Sequence, residues 1–238
     1  PKEVKNKFTE ATGCEWLSEG YGLTESSPVA TCNPVRGDIR IGTIGLPLPQ
    51  TVIEIIDPED KITPMPYGEK GEVCIRGPQV MKGYYNNPTA TAEAMDNGWF
   101  ATGDVGVMDE NGFIKIVDRI KDMILTNNGL NVYPGKVEKA LMQHPNIQEV
   151  IVLGINNDQN GQDIKAFMVL KDPSKPLDYP SLKTFLKDKL AAYEVPRLLE
   201  TRDALPKTMI GKPDKKALRA EEDAKAANNK TASKPPKP

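Results

Sequence analysis

The sequence predicts a mixed α/β (α+β) fold in two parts: a β-rich region over 1–118 and a small α+β domain over 119–220. Up to residue 117, short runs of branched and aromatic residues alternate with turn residues about every eight to twelve positions, which is the rhythm of strands and turns. After Asp122 the apolar spacing changes to helix, strand, strand, helix, the signature of a compact two-layer domain. The length of 238 residues suffices for one large or two small hydrophobic cores.

Each element has a local reason. The chain opens with a charged, helix-like stretch, and residues 28–50 carry Asn33-Pro34, Gly37, Gly42, Gly45, Pro47 and Pro49, reading as loops with short strands. Residues 51–57 (TVIEIID) alternate as a strand, and 72–76 (EVCIR), bounded by Gly71 and Gly77, form another. Asn87-Pro88 places an N-cap residue before a proline at the first helical position, so a short helix is expected over 88–95. The Asn111-Gly112 turn leads into 113–117 (FIKIV) and makes 105–117 a hairpin. The domain boundary is placed at 118–122. Beyond it, Pro134 opens a helix that carries Val137 and Leu141 on one face and ends at Pro145. Residues 150–155 (VIVLGI) and 164–170 (IKAFMVL) are buried-strand runs. Pro180 starts a second helix with Leu182, Phe185, Leu186 and Leu190 at helical spacing, and 213–223 close the fold as a terminal helix. From Ala224 the chain is lysine, alanine, asparagine and proline without apolar periodicity, and 221–238 is read as a disordered tail.

Composition excludes several function classes. Lys+Arg 31 against Asp+Glu 33 leaves a net charge of −2, so no basic surface argues for nucleic acid. A hydrophobic content of 38% and a mean hydropathy of −0.48 fit a soluble protein. No apolar run approaches the roughly 18 residues of a membrane helix, and no signal peptide opens the chain. A cytoplasmic protein is expected, with peripheral contact at the inner face of a membrane left open and the oligomeric state unassigned. Cys14, Cys32 and Cys74 are odd in number and match no metal spacing, so reduced thiols are expected. His144, the single histidine, precedes Pro145 at the expected end of a helix, where an imidazole interacts with terminal carbonyls. That disfavours a Ser-His-Asp mechanism or a His-ligated metal.

The densest chemistry lies in Glu19-Gly20-Tyr21-Gly22-Leu23-Thr24-Glu25-Ser26-Ser27-Pro28. Its glycines let the backbone turn closely, so that a hydroxyl, a carboxylate and an aromatic ring can converge on one small ligand. Thr24 can hydrogen-bond a phosphate oxygen, Glu25 can hold a divalent cation, and Tyr21 offers a flat face for a base. A plain glycine-containing loop is the alternative. Three further segments accompany it in order: Phe100-Ala101-Thr102-Gly103-Asp104, Val117-Asp118-Arg119-Ile120-Lys121-Asp122 and Pro206-Lys207-Thr208-Met209-Ile210-Gly211-Lys212.

Together, in this order, the four segments resemble the motifs of the adenylate-forming enzymes: acyl-CoA synthetases, firefly luciferase and the adenylation domains of peptide synthetases. The likeness runs from near residue 10 to near residue 220. Local similarity in GPQVMKGYYNNP (77–88) and NVYP (131–134) points within that family to fatty acyl-CoA synthetases, for long or medium chains. The resemblance implies the C-terminal part of a large AMP-binding domain followed by a small mobile lid domain, with ATP, Mg²⁺ and coenzyme A as cofactor and substrates beside the fatty acid. The phosphate loop is then expected upstream of Pro1, and the isolated chain is expected to make no acyl-adenylate.

The resemblance also assigns residues. Glu25 is the metal ligand, Thr24 contacts the α-phosphate, and Tyr21 with Gly22 lies against adenine. Asp104 accepts the two ribose hydroxyls, although an aspartate in a Thr-Gly-Asp turn otherwise bonds its own backbone. Arg119 reaches the ribose oxygens; an ion pair with Asp118 or Asp122 is the plain alternative. Lys121 is the hinge, Gly129 and Leu130 meet the pantetheine arm of coenzyme A, and Lys212 is the catalytic lysine between carboxylate and α-phosphate. The sequence departs from the family's pattern at Phe100-Ala101, at Leu130, and at Pro213-Asp214-Lys215-Lys216 after the lysine. An aryl-CoA or acyl-AMP ligase, or a non-catalytic interaction module, stand as alternative readings.

Overall fold

The structure is a computed structural model that describes residues 2–157, 161–209 and 211–232. It divides into two compact units, Pro1–Lys121 and Asp122–Pro238.

The first unit begins with α1 (Lys2–Thr12) and a three-stranded antiparallel sheet of β1 (Gly20–Tyr21), β2 (Thr31–Cys32) and β3 (Leu46–Pro47), with β2 in the middle. The long loop between β2 and β3 is held by one buried amide: Asn33 Nδ2 donates to the Thr43 carbonyl at 2.9 Å, and Oδ1 accepts from Arg40 N at 3.1 Å. One side chain that both donates and accepts replaces a regular ladder. The second sheet is larger. β4 (Val52–Ile56) pairs antiparallel with β5 (Lys70–Arg76). α2 (Pro88–Ala94) follows, with Asn87 accepting from Ala90 N at 3.1 Å and proline in its first turn, as expected. The short β6 (Met95–Asp96) leads into β7 (Trp99–Met108), which pairs with β5, β6 and β8 (Ile114–Arg119). Ile53, Ile55, Val73, Ile75 and Ile114 form the core with Ala30, and Tyr21 and Leu23 pack half-buried against it. Ile53 and Ile55 of β4, and Val73 and Ile75 of β5, are alternate residues, the period-two pattern of a strand with one face on the core.

The second unit opens with a hairpin of β9 (Ile124–Leu125) and β10 (Asn131–Val132). α3 (Pro134–Leu141) starts at the expected proline. β11 (Ile147–Asn156) and β12 (Gln162–Leu170) are antiparallel neighbours, α4 (Tyr179–Leu186) is capped by Asp178 accepting from Ser181 N at 2.8 Å, and β13 (Leu198–Thr201) runs parallel to β12. The last element is α5 (Lys215–Ala232). Both faces of this sheet are covered. Val152, Ile164, Ala166 and Met168 join Val137, Leu141, Leu182 and Leu186 of α3 and α4. The alternate residues Ile151, Leu153, Phe167 and Val169 join Leu205 and Leu218 on the α5 side. Each fully buried Leu, Ile or Phe contributes about 1.5–3 kcal/mol relative to exposure.

Four sequence readings change. β13 was not foreseen, because its four residues pair in parallel with a strand distant in sequence. Thr102-Gly103-Asp104 lies in β7 rather than in a turn. His144 does not cap helix carbonyls with its ring: Nδ1 accepts from Asn146 N at 3.2 Å, the ring stands edge-on to Phe185 at 4.9 Å, and burial lowers its pKa. Finally, residues 221–232 are helical and not a disordered tail, while 233–238 lie outside the described residues. Leu218 anchors the start of this helix in the core, and charge seats its middle. Lys165 Nζ stands 2.7 Å from both Glu200 and Glu222, and Arg202 bridges Glu200 and Glu221 at 2.7 Å each. Among the described residues no helix is long and apolar enough to cross a membrane.

Candidate functional site

The site in the first unit is built on a break in the sheet. Between β5 and β7, Glu72 faces Val105 and Cys74 faces Ala101, so Thr102, Gly103 and Asp104 stand against Val73 alone. A bulge of this kind re-aims a side chain and leaves backbone groups to be satisfied by other means. Thr102 Oγ1 donates to the Val73 carbonyl at 2.8 Å and accepts from Asp104 N at 3.1 Å. Gly103 N donates to Glu72 Oε1 at 2.8 Å. Gly103 sits at φ +72, a conformation that L side chains rarely adopt, while a Cβ there would meet nothing within 4 Å. Backbone conformation, and not lack of space, calls for the glycine.

The bulge presents Asp104, only 3% exposed, to two partners. Oδ2 accepts from the Tyr21 hydroxyl at 2.5 Å, and Oδ1 lies 2.8 Å from Arg119 Nε. Arg119 is the residue directly opposite Asp104 in the β7–β8 register, which explains why this pairing prevails over Asp118 or Asp122. Burial, and then the hydrogen bond to Asp104, push the Tyr21 phenol well above its ordinary pKa, so it remains a donor. Each carboxylate oxygen offers two lone pairs, so Asp104 retains acceptor capacity beyond these bonds. A cleft of about 350 Å³ opens beside the bulge, lined by Glu72, Thr102, Gly103, Arg119 and Lys121.

The loop from β1 to β2 carries the other candidates. Thr24–Ser26 form a single 3₁₀ turn, closed by buried Ser26, whose Oγ accepts from Leu23 N at 2.9 Å. Gly22 is required by contact: a Cβ would lie 1.8 Å from the Pro28 carbonyl oxygen. Thr24 is exposed and Glu25 half-buried. Glu25 is held twice, by Met81 N donating to its carbonyl at 2.8 Å and by the Tyr84 hydroxyl donating to Oε1 at 3.0 Å.

In the second unit, Gly129 and Leu130 form the tip of the β9–β10 hairpin, with Gly129 N donating to Thr126 O at 2.9 Å and Leu130 41% exposed. Lys212 is exposed in a loop closed at its base. Thr208 N donates to Lys212 O at 2.8 Å, Lys207 bridges to Pro213, and Asp214 N donates to Pro206 O at 2.9 Å. Asp214 then caps α5 by accepting from Ala217 N at 3.0 Å, which gives the unusual Pro213-Asp214 pair a structural reason. Lys121 is the last residue of the first unit, in the 3₁₀ turn Ile120–Asp122.

Sequence reasoning missed two residues of the site, Glu72 and Tyr84. Glu72 left a signal: a carboxylate inside an otherwise apolar strand, GEVCI, needs a polar partner. Tyr84 left none, since its bond to Glu25 joins residues 59 apart.

The fold is that of the adenylate-forming enzymes. ATP-bound MatB from Rhodopseudomonas palustris superposes with a TM-score of 0.82 at 32% identity, over 92% of this chain and 43% of that one. The o-succinylbenzoate coenzyme A synthetase MenE from Bacillus subtilis, in complex with ATP and magnesium ion, gives 0.77 at 30% identity, over 94% and 44%. The chain belongs to the AMP-binding enzyme family: the AMP-binding enzyme model matches residues 1–85, and the model of the AMP-binding enzyme C-terminal domain matches residues 136–212. A long-chain-fatty-acid–CoA ligase of Escherichia coli O6:H1 is 47% identical over 225 residues, which are 94% of this chain and 39% of the ligase. The chain thus spans about two fifths of the length of that curated relative.

Proposed function

We propose that this chain forms part of an ATP-dependent acyl-CoA synthetase, which activates a long- or medium-chain fatty acid as its acyl-adenylate and passes the acyl group to coenzyme A. The observation that carries the reading is the Tyr21–Asp104–Arg119 group: a buried carboxylate with spare lone pairs, aimed by a bulge, suits a vicinal diol such as a ribose. The 47% identity to a ligase named for long-chain fatty acids supports the substrate class. A cytoplasmic location belongs to the same proposal.

In this reading Asp104 and Arg119 hold the ribose, the loop at Tyr21 and Gly22 borders the adenine, and Thr24 donates to the α-phosphate. A carboxylate oxygen of the acid attacks the α-phosphate and pyrophosphate leaves; the thiol of coenzyme A then displaces AMP. Glu25 suits Mg²⁺: it offers a hard oxygen fixed by Tyr84, and Mg²⁺ is commonly bound through one or two carboxylates plus substrate phosphates and water. Bound there, the ion would neutralise phosphate charge. Lys212 supplies the preorganised cation for charge developing between carboxylate and α-phosphate. Lys121 acts as the hinge between half-reactions, and Gly129 with Leu130 borders the pantetheine arm.

Lys212→Ala in the full-length enzyme tests the assignment. Adenylation is expected to fall about a hundred- to a thousand-fold, the typical cost of losing one preorganised donor. Thioester formation from preformed acyl-adenylate is expected to stay near normal. Adenylation within a few-fold of the unsubstituted rate, or equal loss of both steps, overturns it. A second reading, a ligase for another carboxylic acid, is favoured by the likeness to the o-succinylbenzoate enzyme. Competition between fatty acids and aryl acids in pyrophosphate exchange separates the two.

A further inference from the structure

The bulge that aims Asp104 is bound by a second buried carboxylate, that of Glu72. Glu72 lies on the central strand β5 of the large sheet, between the buried residues Gly71 and Val73, and is itself only 8% exposed. Buried carboxylates are ordinarily matched by a cation, yet none of the ion pairs among the described residues includes Glu72. Its Oε1 instead takes the Gly103 N–H at 2.8 Å. That amide has left the β5–β7 ladder, because the register slips between Glu72 and Cys74. Without an acceptor it would be an orphan in a mostly buried place, and Gly103 would lose the contact that favours its φ of +72. Thr102 fixes the bulge on either side of this point, Tyr21 and Arg119 hold the Asp104 carboxylate itself, and Glu72 ties the backbone amide just before it.

We propose that Glu72 is a positioning residue for nucleotide recognition: its carboxylate holds the Gly103 amide and thereby sets the direction of the Asp104 carboxylate. The inference rests on the reading of Asp104 as the ribose-binding group. Glu72 therefore governs selectivity for the ribose hydroxyls and leaves the chemical step alone.

The experiment measures KM and kcat in the full-length enzyme for ATP and for 2′,3′-dideoxy-ATP, which lacks both hydroxyls. Four proteins are compared: unsubstituted, Asp104→Ala, Glu72→Met and Glu72→Gln. Methionine keeps the volume and removes the acceptor, whereas glutamine keeps an acceptor oxygen. Asp104→Ala is expected to erase the preference for ATP. Glu72→Met is expected to shrink that preference about tenfold, the scale of one hydrogen bond to a charged group, through KM for ATP and with kcat for the dideoxy compound unchanged. Glu72→Gln is expected to restore the preference to within about twofold, since its amide oxygen can still accept from Gly103. Full preference in Glu72→Met, or its loss in Glu72→Gln, overturns the role of Glu72 while leaving that of Asp104 intact. Preference retained in Asp104→Ala overturns the ribose reading itself.

Discussion

In the first unit the buried polar side chains serve irregular backbone: Asn33 braces a loop, Ser26 closes a 3₁₀ turn, and Glu72 with Thr102 supports a bulge. In the second unit ion pairs join elements to one another. Lys165 and Arg202 fasten α5 to β12 and β13, and Lys136 ties the start of α3 to buried Glu194 at 2.6 Å. Glu194 also accepts from Ala191 N at 2.8 Å to close the 3₁₀ turn Ala192–Glu194. Apolar surface differs as well. The first unit leaves Trp16, Ile62 and Tyr85 exposed by 57%, 78% and 92%. In the second the sheet has helices on both faces, and the most exposed apolar side chain among the described residues, Met209, sits in the loop before Lys212. The candidate group around Asp104 thus lies where the backbone departs from regularity, while the ion network of the second unit lies between strands and a helix.

The sharpest way to break this comparison is limited proteolysis, where the expected contrast is all-or-none. A resistant fragment beginning near Lys121 is expected; a stable piece from the first unit alone, or fragments that all span the boundary, would contradict it. Next in size is Phe167→Ala. This ring is fully buried between the charged residues Lys165 and Arg202, and its removal is expected to destabilise the second unit by about 3–5 kcal/mol in denaturant titration. Trp16→Ala, by contrast, is expected to cost under about 0.5 kcal/mol, as an exposed substitution. Asp214→Ala removes the N-cap of α5 and is expected to cost about 1 kcal/mol, read as a lower melting midpoint.

A further effect is in acid. Burial alone would raise the pKa of Glu200, but hydrogen bonds from Lys165, Arg202 and Lys225 outweigh it and bring the group down to about 2. A carboxylate held below its unfolded value contributes stability above that value and loses it as pH falls through the folded one. Stability of the second unit is therefore expected to decline between about pH 4.5 and pH 2. Glu200→Gln should flatten that decline in urea titrations; an unchanged slope would remove the ion network from the account of α5.

Local signals made much of this legible. Asn87-Pro88 and the helix beginning at Pro134 follow from capping chemistry, and the strands at 150–155 and 164–170 from runs of branched residues. What escaped depends on partners remote in sequence. β13 forms only by pairing with β12, and the middle of α5 carries charges whose complements are Lys165 on β12 and Arg202 just after β13. The Tyr21–Asp104 bond joins residues 83 apart. Motif order suggested that both belong to one site, but spacing gave no sign that they touch. The Thr-Gly-Asp segment looks like a turn because the same conformational freedom serves a turn and a bulge; only the register of the neighbouring strand distinguishes them.

The loop that carries Lys212 is cinched at its base by Lys207, Thr208 and Asp214, and the helix that follows starts at Lys215, capped by Asp214. Ring closure of this short segment is therefore completed when the second unit folds, and the lysine's search volume is already small before any ligand arrives. Inserting residues between Thr208 and Lys212 would enlarge that volume without altering a single side chain, converting a problem of chemistry into one of polymer statistics.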